Sequence, residues 1–196
     1  MQKEALEYTK KCDRCQRFAP NTHQLGGFLN PLSSPWPFAQ WDLDIVGPFP
    51  KAAGNKKYLL VGTDYFTKWV KAEPLVNIRD VDAKKFLWKN IVTCFGVPNT
   101  LISDNGLQFN SKSFRRYCGE LGITNRYSTS AYPQGNGQAE AINKVIVNRL
   151  KKRLDDAKGR WLEELPHVLW TYRTTPQRST RETLFRCLMG LRLSFP

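Results

Sequence analysis

Apolar and polar residues alternate at the start of the central part of the chain. In the segment WDLDIV, the apolar side chains fall on one side of an extended strand, and Asp42 and Asp44 fall on the other. The apolar run 58–61 and the segment KWVKAEPL predict two further strands, the second of which is expected to end at Pro74. Because the connections between these three strands are short, we expect an antiparallel meander.

Helical spacing of apolar residues predicts four helices after the meander. These helices are expected over 81–95, from Ser111 to Gly122, over about 138–156 and over about 160–173. Asp80 can cap the first of them. The segments NTLIS and ITNRYST, which lie between helices, predict the fourth and fifth strands. The element order βββ-α-β-α-β-α-α indicates an α/β fold with a mixed sheet and helices.

Two acidic residues are expected to meet at one edge of this sheet. The first and fourth strands are joined by a long connection that contains a helix, so we expect them to be parallel and adjacent. Asp44 and Asp104 would then both lie near the carboxyl ends of their strands, where α/β sheets bind ligands. Glu140, at the start of the long helix, is free to reach over the same edge.

Three converging carboxylates repel one another unless a cation lies between them. Oxygen ligands with this charge suit Mg²⁺ or Mn²⁺, and two such ions form the clamp used for displacement at phosphorus. Taken singly, Asp104 is typical of a turn and Glu140 of the first turn of a helix. The hypothesis therefore depends on Asp44, Asp104 and Glu140 together.

Charge points to a polyanionic partner. The 196 residues include 30 Lys and Arg against 17 Asp and Glu, which gives a net charge of +13. No run of 18 apolar residues occurs, so we expect no membrane association, and the first 20 residues lack the apolar region of a secretory signal. Cys94, Cys118 and Cys187 fall on apolar faces and are interpreted as core or interface thiols.

Several blocks of the sequence, in order, resemble the catalytic core of retroviral-type integrases. The blocks are LDIVGPFP, LISDNGLQF, YPQGNGQAEAINK and GRWLEELPHVLWTYRTTPQRST, and 35 residues separate Asp104 from Glu140, the spacing known in that family. Within that family, the blocks most resemble integrases of gypsy-type long-terminal-repeat retrotransposons. The resemblance implies a ribonuclease-H-like mixed five-stranded sheet flanked by helices. It also implies metal-dependent DNA 3′-end processing and strand transfer, with element DNA inserted into target DNA.

The resemblance implies that Asp44, Asp104 and Glu140 are the catalytic and metal-binding residues, with two Mg²⁺ or Mn²⁺ ions when DNA is bound. Asp42 is a rival for the first role because it shares a strand face with Asp44; the motif match and the position nearer the strand end favour Asp44. Asp64 is a second rival, but its position at an expected hairpin turn favours a structural role.

Double-stranded DNA, both element ends and target, is the partner that the resemblance implies. Tyr132 can stack on a base, and Asn143 and Lys144 match family positions near DNA ends. The DNA-binding residues expected are Asn105, Tyr132, Gln134, Asn143, Lys144, Lys151 and Lys152. Integrases act as multimers, so we expect a homo-oligomer, formed through the helices at 81–95 and 160–173 with Trp88 and Trp170 as candidate contacts. Such a protein would act in the nucleus.

The resemblance also divides the chain. Residues 1–19, with Cys12 and Cys15, resemble the second half of a zinc knot of two His and two Cys. Because the His pair is absent, we expect no Zn²⁺ there and interpret the segment as a truncated remnant. Residues 20–38 are expected to form a linker or extended arm, 39–176 the catalytic core, and 177–196 a divergent C-terminal extension.

Two other functions remain open at this point. A ribonuclease-H-type nuclease would share the sheet and the metals but would only hydrolyse its substrate. A non-catalytic DNA-binding or scaffold domain derived from a mobile element would keep the basic surface without the chemistry.

Overall fold

The computed structural model describes residues 36–127 and 160–176, together with Val145, Lys152, Thr183 and Leu184. All of them belong to one compact unit, Leu32–Pro196. Within these described residues, no helix has the length and hydropathy needed to cross a membrane.

Five strands form one mixed sheet. They are β1 (Gln40–Val46), β2 (Tyr58–Asp64), β3 (Val70–Leu75), β4 (Thr100–Ser103) and β5 (Thr124–Tyr127). Their order across the sheet is β3-β2-β1-β4-β5. β2 is antiparallel to both β1 and β3, which confirms the predicted meander, and β4 is parallel to both β1 and β5. The predicted parallel pairing of the first and fourth strands is therefore confirmed, and β1 lies at the centre of the sheet.

Helices flank the sheet, as predicted. Helix α1 (80–95) consists of the successive segments Asp80–Phe86, Leu87–Val92 and Thr93–Phe95, of which the middle one has π geometry. The others are α2 (Leu107–Asn110), α3 (Lys112–Glu120) and α4 (Trp161–Thr174). Ser111 caps α3, since its Oγ accepts a hydrogen bond of 3.0 Å from the Phe114 N–H. The short helix α2 was not predicted, because four residues are too few to show a helical period.

One face of the central strands packs against α1. Gly62 of β2 allows this close approach, because an added Cβ would lie 3.1 Å from Phe86 Cε1 and 3.4 Å from Leu43 Cδ2. Leu43 and Phe86 are each 1% exposed. Side chains alternate along a strand, so Asp42 and Asp44 lie on the face of β1 that is turned away from Leu43.

One aromatic and one basic side chain of helix α4 contact the segment after β1 and the strand β3, respectively. The Trp161 ring lies 4.9 Å from the ring of Phe49, and its Nε1 donates to the carbonyl of Pro50 at 2.8 Å. Near the other end of the helix, Arg173 Nη2 donates to the carbonyl of Val70 at 2.7 Å. The apolar residues that recur at helical spacing along α4 are all buried: Trp161, Leu165, Leu169 and Tyr172.

Asp64 has the structural role that its place at a turn predicted. Its carboxylate is fully buried and organises the connection between β2 and β3. Oδ2 accepts hydrogen bonds of 2.6 Å from both the N–H and the Oγ1 of Thr67, and Oδ1 accepts one of 3.0 Å from the Phe38 N–H. Burial raises the pKa of Asp64, and the hydrogen bonds from Thr67 and Phe38 act in the opposite direction.

One local prediction is wrong, and a second is wrong in part. Asp80 is the first helical residue of α1 and not its cap; its Oδ1 accepts a hydrogen bond of 2.8 Å from the Val81 N–H. Cys94, in the last turn of α1, is exposed, so of the two readings given for it the core is wrong and the interface stays a prediction. Cys118 is buried as predicted, and burial raises the pKa of its thiol to about 11.

Parts of the sequence interpretation lie outside the described residues. Of the helix expected over 138–156, only Val145 and Lys152 are described, and both are helical and exposed. Cys187 and the segments 1–19 and 177–182 are not among the described residues.

Candidate active site

Asp44 and Asp104 lie at the same edge of the sheet. In the parallel pairing of β1 with β4, Leu43 is opposite Ser103, so the residue after each of them is an aspartate. Asp44 is half-buried, and its Oδ1 accepts a hydrogen bond of 2.7 Å from the Ile45 N–H. The strand order and the parallel register together place these two aspartates, which are 60 positions apart in the sequence, directly after paired residues of adjacent strands.

Asp104 is exposed at the beginning of a turn. Its Oδ1 accepts a hydrogen bond of 3.2 Å from the Gly106 N–H, and this contact holds the carboxylate against the turn backbone. Gly106 permits the arrangement, because an added Cβ would lie 2.9 Å from that oxygen and 2.3 Å from Gln108 Nε2. The turn therefore both ends β4 and orients the carboxylate.

A third carboxylate, Asp42, lies beneath these two. It is 1% exposed, and burial raises its pKa to about 8, with further increases from the charges of Asp44 and then Asp104. A hydrogen bond from the Tyr65 side chain acts in the opposite direction. Since the charges of Asp44 and Asp104 both act on Asp42, the three acids form one electrostatic cluster.

The sequence pattern did not reveal that Asp42 is buried. The alternation in WDLDIV suggested a polar strand face, but at Asp42 that face is enclosed by neighbouring strands and by Tyr65, itself only 6% exposed. Central strands that are paired on both sides are commonly covered on both faces, and this is the signal that could have found it. Of the two candidates on β1, Asp44 is the more accessible to solvent, whereas Asp42 is enclosed.

The donor set suits a hard divalent cation. Asp44 and Asp104 offer carboxylate oxygens at a solvent-accessible edge, and Mg²⁺ is commonly held by one or two carboxylates together with water. Within the described part of the chain, no three His, Cys, Asp or Glu side chains are grouped so that they could hold a metal ion. The third expected ligand, Glu140, is outside that part.

Two of the expected DNA-binding residues are described. Asn105 is exposed next to Asp104, and its Oδ1 accepts a hydrogen bond of 2.8 Å from Asn110 Nδ2. Lys152 is exposed and helical. The other expected site residues lie outside the described residues: Tyr132, Gln134, Asn143, Lys144, Lys151 and, at the other end of the chain, Cys12 and Cys15.

The buried Asp42 predicts a specific dependence of stability on pH. Between about pH 4 and pH 8 the folded chain retains a proton on Asp42 that the unfolded chain releases, so rising pH lowers the free energy of unfolding. The variant Asp42→Asn lacks this dependence. Urea unfolding in EDTA at pH 5 and pH 8.5 should therefore show wild type losing stability relative to the variant at the higher pH. A difference between the two proteins that is equal at both pH values would contradict the assignment.

Comparison with known proteins gives the family context. A family model described as "Integrase core domain" matches residues 35–133. The Gag-Pol polyprotein of avian reticuloendotheliosis virus is 30% identical over 189 residues, which are 96% of this chain and 16% of that protein. The Gag-Pol polyprotein of gibbon ape leukemia virus is 32% identical over 180 residues, 91% of this chain and 10% of that protein. The chain thus spans only a small part of the length of these relatives.

Solved structures share the fold. A chain of the simian T-cell lymphotropic virus intasome in complex with PP2A regulatory subunit B56 gamma has a TM-score of 0.68 at 22% identity, covering 95% of this chain and 66% of that chain. The HTLV-2 integrase catalytic core domain in complex with magnesium, in its trimeric form, has a TM-score of 0.64 at 20% identity. The match covers 79% of this chain and 98% of that chain. These likenesses confirm the expected ribonuclease-H-like fold, a mixed five-stranded sheet flanked by helices.

Proposed function

The chain belongs to the family of integrase core domains, and from this premise we propose that it catalyses divalent-metal-dependent processing of DNA 3′ ends and their transfer to target DNA. The observation that carries the proposal is the pair of accessible carboxylates, Asp44 and Asp104, on adjacent parallel strands. Burial raises the pKa of the neighbouring Asp42, and the charges of Asp44 and Asp104 raise it further, so both carboxylates act on the same buried site. Such a cluster is destabilising unless a cation compensates it.

Asp44, Asp104 and Glu140 are the residues that would hold Mg²⁺ or Mn²⁺. When bound, two such ions activate an attacking oxygen and stabilise a leaving oxygen at phosphorus. The part of this chain in the reaction is to orient the carboxylates: the Ile45 N–H fixes one oxygen of Asp44, and the Gly106 N–H fixes one of Asp104. Preorganised ligands of this kind lower the cost of reaching the transition state.

Double-stranded DNA is the proposed substrate, as both element ends and target. The net charge of +13 supports a polyanionic ligand, and Lys144 to Pro196 carries 12 Lys and Arg against 5 Asp and Glu. We assign DNA contacts to Asn105, Tyr132, Gln134, Asn143, Lys144, Lys151 and Lys152. Asn105 and Lys152 are exposed, as this role requires.

We propose a gypsy-type retrotransposon as the source of the chain and the nucleus as its place of action. Support for the element type is the set of motifs described above; the similar curated proteins named here are retroviral polyproteins. The division into a segment that resembles part of a zinc knot over 1–19, a linker over 20–38, a catalytic core over 39–176 and an extension over 177–196 belongs to the same proposal.

A second copy of the chain is the proposed protein partner. The integrase cores of HTLV-2 were solved in dimeric and trimeric forms. On this chain, Trp170 of α4 is 61% exposed beside a groove of about 610 Å³ between β3 and α4. Exposed aromatic side chains are enriched in the contacts between protein chains. Trp88, the other candidate contact, lines a different depression on α1.

A strand-transfer assay tests the function. The purified chain is incubated with a short labelled duplex that carries the element end and with a target duplex, in Mg²⁺, in Mn²⁺ and in EDTA. We expect joined products with either metal and none in EDTA, and none from Glu140→Gln. Cleaved ends without joined products would favour the nuclease. DNA binding without any reaction, also in a fusion with a zinc-binding N-terminal domain, would favour a scaffold domain.

A further inference from the structure

Arg126 of β5 points away from the helices α2 and α3. Its neighbour Tyr127 lies on the helical face, because the Tyr127 hydroxyl donates to the carbonyl of Phe109 in α2 at 3.2 Å. The neighbour on the other side, Asn125, hydrogen-bonds the thiol of Cys118 in α3. Side chains alternate along a strand, so Arg126 points to the opposite face. Since α2 and α3 pack against α1, this opposite face is the one that carries the two aspartates of β1.

The register of the parallel strands places Arg126 close to the carboxylate edge of the sheet. Arg126 is paired with Ile102 of β4, and Ile102 is paired with Asp42 of β1. Neighbouring strands are about 4.8 Å apart, so roughly 10 Å separate the backbones at Arg126 and Asp42. Asp104 comes two positions after Ile102, directly beyond the end of β4. Arg126 is therefore a basic residue on the same face as the acids and only two strands from β1.

The charge of Arg126 is available to a ligand. The residue is exposed, and among the described residues no carboxylate lies within 4.0 Å of its guanidinium group. By contrast, Arg116 on α3 is paired with Glu120 at 3.4 Å. A guanidinium group offers N–H donors in a fixed fork that matches two oxygens of one phosphate. The position therefore suits the binding of a phosphate near the carboxylates.

We propose that Arg126 binds a backbone phosphate of the DNA substrate within about three nucleotides of the phosphodiester that reacts at Asp44 and Asp104. This inference rests on the proposed function, because that function places the reacting phosphorus at the carboxylates. Successive phosphates of one strand are about 3.4 Å apart along the axis of B-form DNA, so roughly 10 Å spans about three of them. A phosphate contact of this kind fixes the register of the DNA on the protein without reading its sequence.

A cation on this face also offsets a repulsion. Before a metal binds, the charges of Asp44 and Asp104 oppose the approach of a DNA phosphate. Arg126 shares its face of the sheet with Asp42, the acid on which both of these charges act. The lysines of α1 are not placed to do this, because α1 covers the other face of the sheet.

Fluorescence anisotropy with a labelled duplex that carries the element end tests the inference in EDTA, so that no metal is required. One phosphate at a time is replaced by a neutral methylphosphonate. We expect one position, within about three nucleotides of the reacting bond, where this replacement weakens wild-type binding about tenfold but leaves binding by Arg126→Ala unchanged. On the unmodified duplex, Arg126→Ala should bind about tenfold more weakly than wild type and depend less steeply on salt.

Arg115→Ala is the matched control, because Arg115 is also exposed but lies on α3, which covers the opposite face of the sheet. This variant should bind within about twofold of wild type and keep the response to the methylphosphonate. Arg126→Lys retains the charge but not the fork, so we expect a loss of about threefold. Urea unfolding should be the same for Arg126→Ala and wild type, since the side chain is exposed.

Two results would overturn the inference. The first is that the effects of Arg126→Ala and of the methylphosphonate multiply at every position, which would mean that Arg126 contributes only general charge. The second is that Arg115→Ala weakens binding as much as Arg126→Ala. A joining assay of wild type in Mg²⁺ separates the inference from the proposed function. Joining without a coupled phosphate refutes the inference alone, whereas a coupled phosphate without joining refutes the proposed chemistry alone.

Discussion

Replacing Asp44 by Asn lowers metal-dependent DNA joining at least a thousandfold, a loss of about 4 kcal/mol in transition-state stabilisation. The amide has the shape of the carboxylate but lacks the negative charge that a divalent cation requires. Asp44 lies at the open edge of the sheet next to Asp104, so no neighbouring acid is positioned on β1 to replace it except Asp42, which is enclosed. Single-turnover joining of labelled duplex DNA measures the effect.

The variant Asp44→Asn should be as stable as wild type or more stable. Asp44 raises the pKa of Asp42, and removing that charge relieves a repulsion, so the variant should unfold at the same or a higher urea concentration. Asp82→Asn is the matched control, because Asp82 is an acid of α1 that pairs with Arg79 at 2.9 Å. The control should retain joining. If Asp44→Asn joins DNA within tenfold of wild type, Asp44 does not hold the metal.

Replacing Asp64 by Ala lowers the free energy of unfolding by about 3–5 kcal/mol. The side chain is fully buried, and its loss leaves the N–H groups of Phe38 and Thr67 and the Thr67 hydroxyl without their acceptor. Each buried group deprived of its partner costs about 1–3 kcal/mol. Urea denaturation followed by circular dichroism measures the change, which is large for a domain of ordinary stability.

The comparison for this second prediction is Asp82→Ala. Asp82 makes a hydrogen-bonded ion pair at the surface of α1, and such pairs contribute about 1 kcal/mol or less. A loss at Asp64 no larger than the loss at Asp82 would show that the turn between β2 and β3 does not depend on the buried carboxylate.

Much of the fold could be predicted because its signals are local. Period-two alternation in WDLDIV, and apolar spacing in 81–95 and 160–173, each indicate one element, and the long connection between β1 and β4 indicates their parallel pairing. Asp64 could be assigned to structure for the same reason, since a buried acid at a tight turn has backbone N–H groups within reach.

The site could be predicted only in part, because its electrostatics depend on the packing of distant segments. Nothing in the sequence near Asp42 shows that Tyr65 and the flanking strands exclude water from it. The exposure of Cys94 is a similar case, since each residue rotates a side chain by about 100° around the helix, and one such step decides whether a thiol faces the sheet or solvent. The roles of Glu140 and of the loop before it stay predictions.

Because β1 lies at the centre of the sheet, the backbone at Asp44 has more hydrogen bonds than the backbone at Asp104. Asp44 stands on a strand whose peptide groups are bonded on both sides, to β2 and to β4. Asp104 lies in a turn outside the strand, and its carboxylate accepts a hydrogen bond of 3.2 Å from the Gly106 N–H. Amide hydrogen exchange should accordingly be slow along β1 and fast in the turn. If the ligand geometry changes during a reaction cycle, we therefore expect Asp104 to move and Asp44 to stay in place.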